Sequence, residues 1–339
     1  MRVLRLFVIA SILAVLSAAV FAAGQSEEGT EVQEESVVLR LSEVNPDGDP
    51  VTDALRFFAE RAGELSDGRI DVRVFPSSQL GGQADALQGL KTGSIDLTRT
   101  NPANLTDFGV EKIGVFSLPY IFQDSEHAWR VIQSDVGDEV LQAITDSGAR
   151  FVGLEFFLAS PRNFFFTEAE VTSLADMEGL KLRVQPAEIY IDLVEAMGAS
   201  PTPIAFSELY SALQTGVVDG AEQPIKGYFS NNLFEVAPFY TFTRHLLEPS
   251  PLLISELTWN NLSEQDRAIL RQAAGEASEL YRDGLAEAEA EFRNQLEEQG
   301  VTFLEVDSPQ EWVDAVSDLY GTYAEGSEDL VDRIQSLRN

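Results

Sequence analysis

The sequence predicts an α/β protein with two separate domains and one long helix that braces both. Strand-like segments alternate with helix-like segments through residues 37–158, and the same order returns in residues 180–244. Such alternation is typical of mainly parallel sheets covered by helices. Residues 263–299 form a further helix-like segment, which at the helical rise would extend over ~50 Å. That is longer than one domain needs, and a helix that crosses both domains explains it.

Helix and strand signals in the first half are local and specific. A helix opens at Asp49-Pro50, where proline suits the first helical position, and it ends at Asp67-Gly68. Ile70–Phe75 alternates as a half-buried strand does. The other elements predicted here are the strand Val37–Leu41, the helix Gln83–Lys91, the strand Ser94–Thr100, the helical region Ser125–Gly148 and the strand Ala149–Leu158.

The second half repeats this order before the long helix. Its predicted elements are the strand Leu180–Gln185, the helix Ala187–Met197, the strand Ser200–Ala205, the helix Ser207–Thr215 and a strand at Phe239–Arg244. After the long helix, the last 40 residues predict one strand (Val301–Val306) and amphipathic helices. Each unit is a short crossover, so two separate α/β domains are more economical than one large sheet. No repeat of solenoid length is visible.

The N-terminus predicts export. Arg2 and Arg5 precede the apolar run LFVIASILAVLSAAV, and small residues flank a cleavage site near Ala22. The prediction is a signal peptide over residues 1–22, a disordered acidic linker over residues 23–36, and a periplasmic mature chain without a membrane-inserted segment. An uncleaved signal-anchor is the alternative.

Composition excludes several classes of function. The 339 residues contain 23 Lys+Arg against 56 Asp+Glu, a net charge of −33, which disfavours nucleic acid and anionic membranes as partners. Cysteine is absent and the two histidines are His127 and His245, so no ordinary zinc or copper site is predicted, and no cofactor. No nucleophile elbow, P-loop or dinucleotide motif is present, and with so many acids any carboxylate pair is uninformative. A catalytic role is therefore not predicted.

Arg183 is the first residue in the sequence that indicates a ligand site. In KLRVQ, Leu182 and Val184 share one face of a strand while Lys181 and Arg183 share the other. A strand covered by helices on both sides should be apolar throughout. A cation near its carboxyl end points to the crevice where open α/β sheets bind ligands, and arginine pairs bidentately with carboxylates. An ordinary structural ion pair is the alternative interpretation.

The block at residues 178–224, EGLKLRVQPAEIYIDLVEAMGASPTPIAFSELYSALQTGVVDGAEQP, resembles the solute-binding proteins of tripartite ATP-independent periplasmic (TRAP) transporters, of the DctP type. The resemblance extends to FPSSQLGG (75–82), GSIDL (93–97), SLPYIFQDSEHAWRV (117–131) and FEV (234–236), in family order and spacing. It therefore covers almost the whole mature chain.

The resemblance implies a two-lobed clam of the periplasmic-binding-protein type (type II-like) with a long helix spanning both lobes. It implies that Arg183 pairs with a ligand carboxylate, that Arg162 and Gln223 close over it, and that Phe206 forms a floor. Gln223 stands where the family has Asn, and Ser160-Pro161 replaces Gly-Phe before Arg162, so the ligand's position is expected to differ from that in typical relatives.

Further pocket candidates follow strands of the first lobe. Glu43 and Asn45 follow the first strand, and Arg99 and Asn101 follow SIDL. Facing the cleft, they would suit a ligand with hydroxyls beyond its carboxylate, such as a uronate or aldonate. A surface salt bridge is the alternative for Arg99, and Glu222 fits an ordinary turn position.

The resemblance also implies the lobe boundaries and the function. Lobe I is expected over 37–159 plus 249–288, and lobe II over 160–248 plus 289–339, with hinges near 158–160 and 247–249. A monomer is expected to capture a small organic acid and deliver it to the integral membrane subunits of a gradient-driven TRAP transporter. The alternatives are the binding component of an ATP-driven importer, a ligand-presenting periplasmic sensor and, from another class, a sugar-acid-modifying enzyme.

Overall fold

The structure is a computed structural model that describes residues 36–338. The predicted signal peptide and residues 23–35 of the predicted linker lie outside the described residues. The strands are β1 (Val37–Ser42), β2 (Ile70–Phe75), β3 (Leu97–Arg99), β4 (Phe151–Leu158), β5 (Arg162–Phe166), β6 (Lys181–Val184), β7 (Ser200–Pro203), β8 (Gly220–Pro224), β9 (Phe239–Leu246), β10 (Pro249–Ser255) and β11 (Thr302–Glu305).

Helices connect these strands and cover the sheets. They are α1 (Pro50–Leu65), α2 (Gln83–Thr92), α3 (Ala103–Thr106), α4 (Ser125–Ile132), α5 (Asp135–Asp146), α6 (Glu188–Ala196), α7 (Leu209–Gln214), α8 (Ile225–Ser230), α9 (Glu256–Asn261), α10 (Glu264–Glu298), α11 (Pro309–Ala315), α12 (Leu319–Tyr323) and α13 (Glu328–Ser336). Short 3₁₀ turns lie at Glu111–Ser117, Leu174–Met177, Phe206–Glu208 and Leu233–Glu235.

The strands form two sheets, in the orders β2-β1-β3-β10-β4 and β11-β9-β5-β8-β6-β7. The chain passes from the first sheet to the second between β4 and β5, and returns between β9 and β10. Two lobes, each an α/β unit around its own sheet, are thus confirmed as the architecture. The lobe boundaries and the hinge positions given above stay predictions.

The expectation of mainly parallel sheets is confirmed, with one exception in each sheet. Strands β5 and β10, which the periodicity did not predict, each run antiparallel to both of their neighbours. Each of them enters its sheet directly after the chain has changed lobe, by a connection of two or three residues. A strand that arrives from the other lobe is not joined to the preceding strand of its sheet by a helical crossover, so it need not run parallel to its neighbours.

Two predicted elements differ from the structure. The helical region Ser125–Gly148 is two helices, α4 and α5, because Ser134 caps the second helix by accepting a hydrogen bond from Val136 N at 3.2 Å. Glycine is required just beyond this break, since a Cβ at Gly137 would lie 2.0 Å from the Ile132 carbonyl oxygen. The predicted strand Ser94–Thr100 shortens to β3, which starts at Leu97.

The long helix α10 packs on both lobes, which confirms the predicted brace. Leu270 and Ala277 lie in the core of the first lobe with Phe58 of α1. Towards its other end, Leu296 lies in a core of the second lobe with Tyr240 of β9. No helix within residues 36–338 is long and apolar enough to cross a membrane.

Candidate ligand-binding site

A cavity that is partly open to solvent, with about 630 Å³ of empty space, lies where loops of the two lobes face each other. Six of the eight predicted ligand-binding residues line it, namely Asn45, Arg99, Asn101, Arg162, Phe206 and Gln223. The residues of the first lobe come from the carboxyl ends of the parallel strands β1 and β3. That edge is where open α/β sheets place ligand contacts. The other two predicted residues, Glu43 and Arg183, lie beside this cavity.

Arg99 and Glu43 form a buried bidentate ion pair. The guanidinium donates from Nε to one carboxylate oxygen at 3.0 Å and from Nη2 to the other at 2.9 Å. The side chains are 8% and 0% exposed, so the alternative of a surface salt bridge is wrong. Glu43 also accepts hydrogen bonds from the backbone N–H groups of Val44 and Asn45 and from the Asn45 amide. The pair is electrically neutral and holds the loop after β1 in place.

Arg162 is neutralised in the same way. Its Nε and Nη2 donate to the two carboxylate oxygens of Glu222, with the Nη2 bond at 2.8 Å. Glu222 lies in β8, directly beside β5, so its interpretation as an ordinary turn position is wrong. Burial alone lowers the pKa of Arg162, but the charge of Glu222 and the hydrogen bonds to it outweigh burial and leave the pKa raised. Arg162 is therefore a permanent cation with its counter-charge already beside it.

Glu248 adds a second carboxyl near Arg162. One of its oxygens accepts hydrogen bonds from Ser117 Oγ at 2.6 Å and from the Tyr190 hydroxyl at 2.7 Å. The other oxygen is buried without a hydrogen-bond partner, 3.9 Å from Arg162 Nε. Burial raises the pKa of Glu248, and the charge of Arg162 opposes this rise. Sequence reasoning missed this residue, although it lines the cavity.

Arg183 is the arginine without a counter-charge. Its side chain is 1% exposed, its Nε donates to the Ile204 carbonyl at 2.8 Å, and its Nη1 has no hydrogen-bond partner. Within residues 36–338 it forms no ion pair, so the alternative of an ordinary structural ion pair is wrong. Burial lowers the pKa of Arg183 to about 10; the charge of Glu222 raises it and that of Arg162 lowers it further. A buried cation in this state is costly until an anion reaches it.

Phe206 separates Arg183 from the main cavity. Its ring centre lies 5.7 Å from Arg183 Cζ, and the ring lines both the cavity and a neighbouring pocket that contains Arg183. Gln83 and Gln185 also line both pockets. Arg183 is thus next to the cavity, and the Phe206 ring borders both spaces.

Amide groups connect the two lobes across the cavity. Asn101 donates to Gln185 Oε1 at 3.0 Å and accepts from Ser250 Oγ at 3.1 Å. Gln185 Nε2 is buried without a partner. Gln223, the residue that replaces the family Asn, lies with its Oε1 3.1 Å from the point a Cβ would occupy at Gly227. Glycine at 227 is therefore what makes room for the longer amide.

Lys226 is the second residue that sequence reasoning missed. It follows β8 in the first turn of α8, is 5% exposed and lines the cavity. The sequence could have indicated it, because Lys226 lies only two residues beyond the block that resembles the family, which ends at Pro224.

Both histidines make contacts that belong to the packing of the fold. His127 Nδ1 accepts from the Gln123 backbone N–H at 3.0 Å, and its Nε2 donates to the Ile334 carbonyl at 2.8 Å. His245 is buried and stacks on Phe164 at 4.3 Å between ring centres. Within the described part of the chain, no group of three or more His, Asp or Glu side chains is arranged to hold a metal ion.

A two-lobed fold whose lobes share a polar cavity, with a buried unpaired arginine beside it, defines a solute-binding protein. The chain belongs to the bacterial extracellular solute-binding protein family 7 (DctP), whose model matches residues 41–326. A solute-binding protein of Roseobacter denitrificans is 38% identical over 250 residues, which cover 74% of this chain and 76% of that protein. Transport of a solute as a TRAP binding protein is thus the function of this chain.

Solved structures agree in fold and in class. A TRAP periplasmic solute-binding protein from Bradyrhizobium sp. btai1, in complex with α/β-D-galacturonate, has a TM-score of 0.84 at 36% identity, covering 88% of this chain and 99% of that one. Another from Pseudomonas putida F1, with bound D-glucuronate, has a TM-score of 0.86 at 30% identity, covering 89% and 98%.

Proposed function

We propose that this chain captures a hydroxylated monocarboxylic acid, a uronate or an aldonate, with Arg183 as the anchor of the carboxylate. The observation that carries the proposal is the buried guanidinium of Arg183, whose Nη1 lacks any hydrogen-bond partner. A ligand carboxylate would supply both the missing acceptor and the missing counter-charge. Arg99 and Arg162 are weaker candidates for this role because Glu43 and Glu222 already neutralise them.

The polar groups around the cavity suit hydroxyls. Asn45, Asn101, Gln185 and Gln223 each present an amide, which can both donate and accept hydrogen bonds. A sugar ring or a polyol chain offers the same dual character at each hydroxyl. A plain fatty acid would leave Gln185 Nε2, which is buried without a hydrogen-bond partner in the protein, unsatisfied at a cost of about 1–3 kcal/mol.

The net charge of the protein does not prevent capture of an anion. The charge of −33 repels anions at long range, but salt screens it beyond about 8 Å at physiological ionic strength. Inside the cavity the field of Arg183 acts over a few ångströms through a medium of low dielectric constant. The local attraction therefore dominates once the ligand has entered.

Calorimetric titration of the mature chain with D-galacturonate, D-glucuronate, D-gluconate, succinate and galactose tests the proposal. We expect one of the hydroxylated monoacids to bind, galactose not to bind, and Arg183→Met to lose binding by 100-fold or more. Arg73→Met, which removes an exposed arginine paired with Asp71, is the matched control and should bind as the wild type does. Unchanged affinity in Arg183→Met would show that the anchor is elsewhere.

We further infer that the ligand is delivered unchanged, by a monomer exported with cleavage near Ala22, to the membrane subunits of a TRAP transporter. Support comes from the absence of catalytic motifs in the sequence and from the family. Recovery of the bound acid by NMR after long incubation should return the same compound, and N-terminal sequencing of the exported chain should begin at residue 23. A chemically altered acid would favour an enzyme instead.

A further inference from the structure

Lys226 is a buried cation that nothing in the described chain neutralises by contact. Its Nζ lies 4.1 Å from the centre of the Tyr281 ring, which comes from the long helix α10. Within residues 36–338 it makes no hydrogen bond and no ion pair. An ammonium has three N–H donors, and at 5% exposure it has little access to bulk water. With Tyr281 covering one side, the remaining donors face the cavity that Lys226 lines.

The charges near Lys226 differ from those near Arg183. Asp49, Glu289 and Glu43 act on Lys226 as negative charges and Arg99 acts as a positive one. Glu222 and Arg162 are the charged groups that act on Arg183. Lys226 lines the main cavity with Asp49, whereas Arg183 lines the neighbouring pocket beside Phe206, so the two unpaired cations lie in different parts of the site.

Asp49 decides which ligand group suits the Lys226 end. It lines the same cavity, and its two oxygens accept hydrogen bonds from Val51 N at 3.0 Å and from Ser230 Oγ at 2.7 Å. A second ligand carboxylate placed here would be drawn to Lys226 but repelled by Asp49. A hydroxyl has no such conflict, because it accepts from the ammonium and can donate to a carboxylate oxygen that has a lone pair left.

We propose that Lys226 is a specificity-determining residue that donates hydrogen bonds to the hydroxyl oxygens at the end of the ligand remote from Arg183. The site thereby selects hydroxylated acids over unsubstituted acids of the same size. This inference rests on the proposed function, since it assumes that an acid is bound through Arg183.

The pH dependence of ligand affinity gives an independent test of the role of Lys226. Burial lowers the pKa of Lys226 to about 8, while Asp49 raises it and Arg99 lowers it. Only the ammonium form donates three hydrogen bonds from a charged group, so the affinity for a hydroxylated acid should fall as the pH rises through 8. Removal of Lys226 should remove this dependence.

The experiment compares wild type, Lys226→Met and Lys226→Gln by calorimetric titration with D-galacturonate, D-galactarate and cyclohexanecarboxylate. We expect Lys226→Met to weaken D-galacturonate binding about 10- to 100-fold, as loss of a charged hydrogen bond does, and Lys226→Gln to recover part of the loss. Cyclohexanecarboxylate, which has no hydroxyls, should bind both proteins equally. Lys112→Met, which removes a half-exposed lysine paired with Glu139, is the control.

Each outcome has one meaning. If the wild type binds D-galacturonate and Lys226→Met binds it equally well, with the same pH profile between 7 and 9, Lys226 has no role in specificity. If D-galactarate binds the wild type more tightly than D-galacturonate, and Lys226→Met abolishes that preference, the residue pairs with a second carboxylate and the hydroxyl assignment is wrong. If the wild type binds none of the hydroxylated monoacids D-galacturonate, D-glucuronate and D-gluconate, it is the proposed function that fails.

Discussion

The four cations of the site divide into two kinds. Arg99 and Arg162 are each paired bidentately with a carboxylate of the protein, whereas Arg183 and Lys226 are buried without one. The paired arginines stiffen the walls of the cavity and leave its net charge unchanged. The unpaired cations keep their attraction for a ligand. Arginine content alone thus says little about an anion site, because what matters is which arginine lacks a partner.

Removing the partner of a paired arginine should have the largest effect on stability. Glu222→Gln leaves Arg162 as a buried charge with Glu248 at 3.9 Å as its nearest carboxyl. We expect the free energy of unfolding to fall by about 3–5 kcal/mol in urea titrations. Glu305→Gln breaks the exposed pair with Arg244 and should cost no more than about 1 kcal/mol. Equal losses of stability in the two variants would show that the buried Arg162–Glu222 pair contributes no more than the exposed Arg244–Glu305 pair.

Removing an unpaired cation should have the opposite effect on the ligand-free protein. Arg183→Met deletes a charge that burial penalises, at the loss of one hydrogen bond to the Ile204 carbonyl. We expect the free energy of unfolding without ligand to stay constant or to rise by up to about 2 kcal/mol. Thermal and urea unfolding of the ligand-free variant measure this. A clear loss of stability would mean that Arg183 has a structural role in the folded chain.

Glu248 should make stability depend on pH. Burial raises its pKa above the ordinary value of 4.5, so the folded protein holds a proton that the unfolded chain releases. Its contribution to stability is complete below pH 4.5 and is lost as the pH rises through the folded-state pKa. We expect Glu248→Gln to flatten this decline in unfolding experiments between pH 4 and 8. A decline of the same steepness in the variant would assign it to other groups.

The pair formed by Gln223 and Gly227 should give the smallest effect. Gly227→Ala places a methyl group 3.1 Å from Gln223 Oε1, so the amide must move. We expect a loss of ligand affinity of about 3- to 10-fold. In the double variant Gly227→Ala with Gln223→Asn, the amide side chain is shorter, and most of the lost ligand affinity should be recovered. Additive losses in the double variant would show that the two residues act independently.

The sequence was sufficient for the alternating elements and the bracing helix, because local periodicity and capping residues determine them. It was not sufficient for β5, β8 and β10, of which β5 and β10 are fully buried strands that enter their sheets from the other lobe. The apolar runs of β5 and β10 carry no alternation that could identify them.

The candidate site shows the same division. Six of the eight predicted residues line the cavity, because strand ends and the family resemblance locate them, and their contact with a ligand stays a prediction. Which arginine is paired could not be predicted, since Glu222 and Arg162 are 60 residues apart in the chain. Lys226 was missed for a related reason. A lysine in the first turn of a helix is usually exposed, and this one is buried in contact with Tyr281 of the distant helix α10.

A crystal structure with D-galacturonate bound would show directly whether Arg183 anchors the ligand. We expect the ligand carboxylate to lie within hydrogen-bond distance of Arg183 Nη1, with the Arg99–Glu43 and Arg162–Glu222 pairs still intact. A carboxylate bound to Arg99 or Arg162, with its protein partner displaced and Arg183 still unpaired, would contradict this expectation.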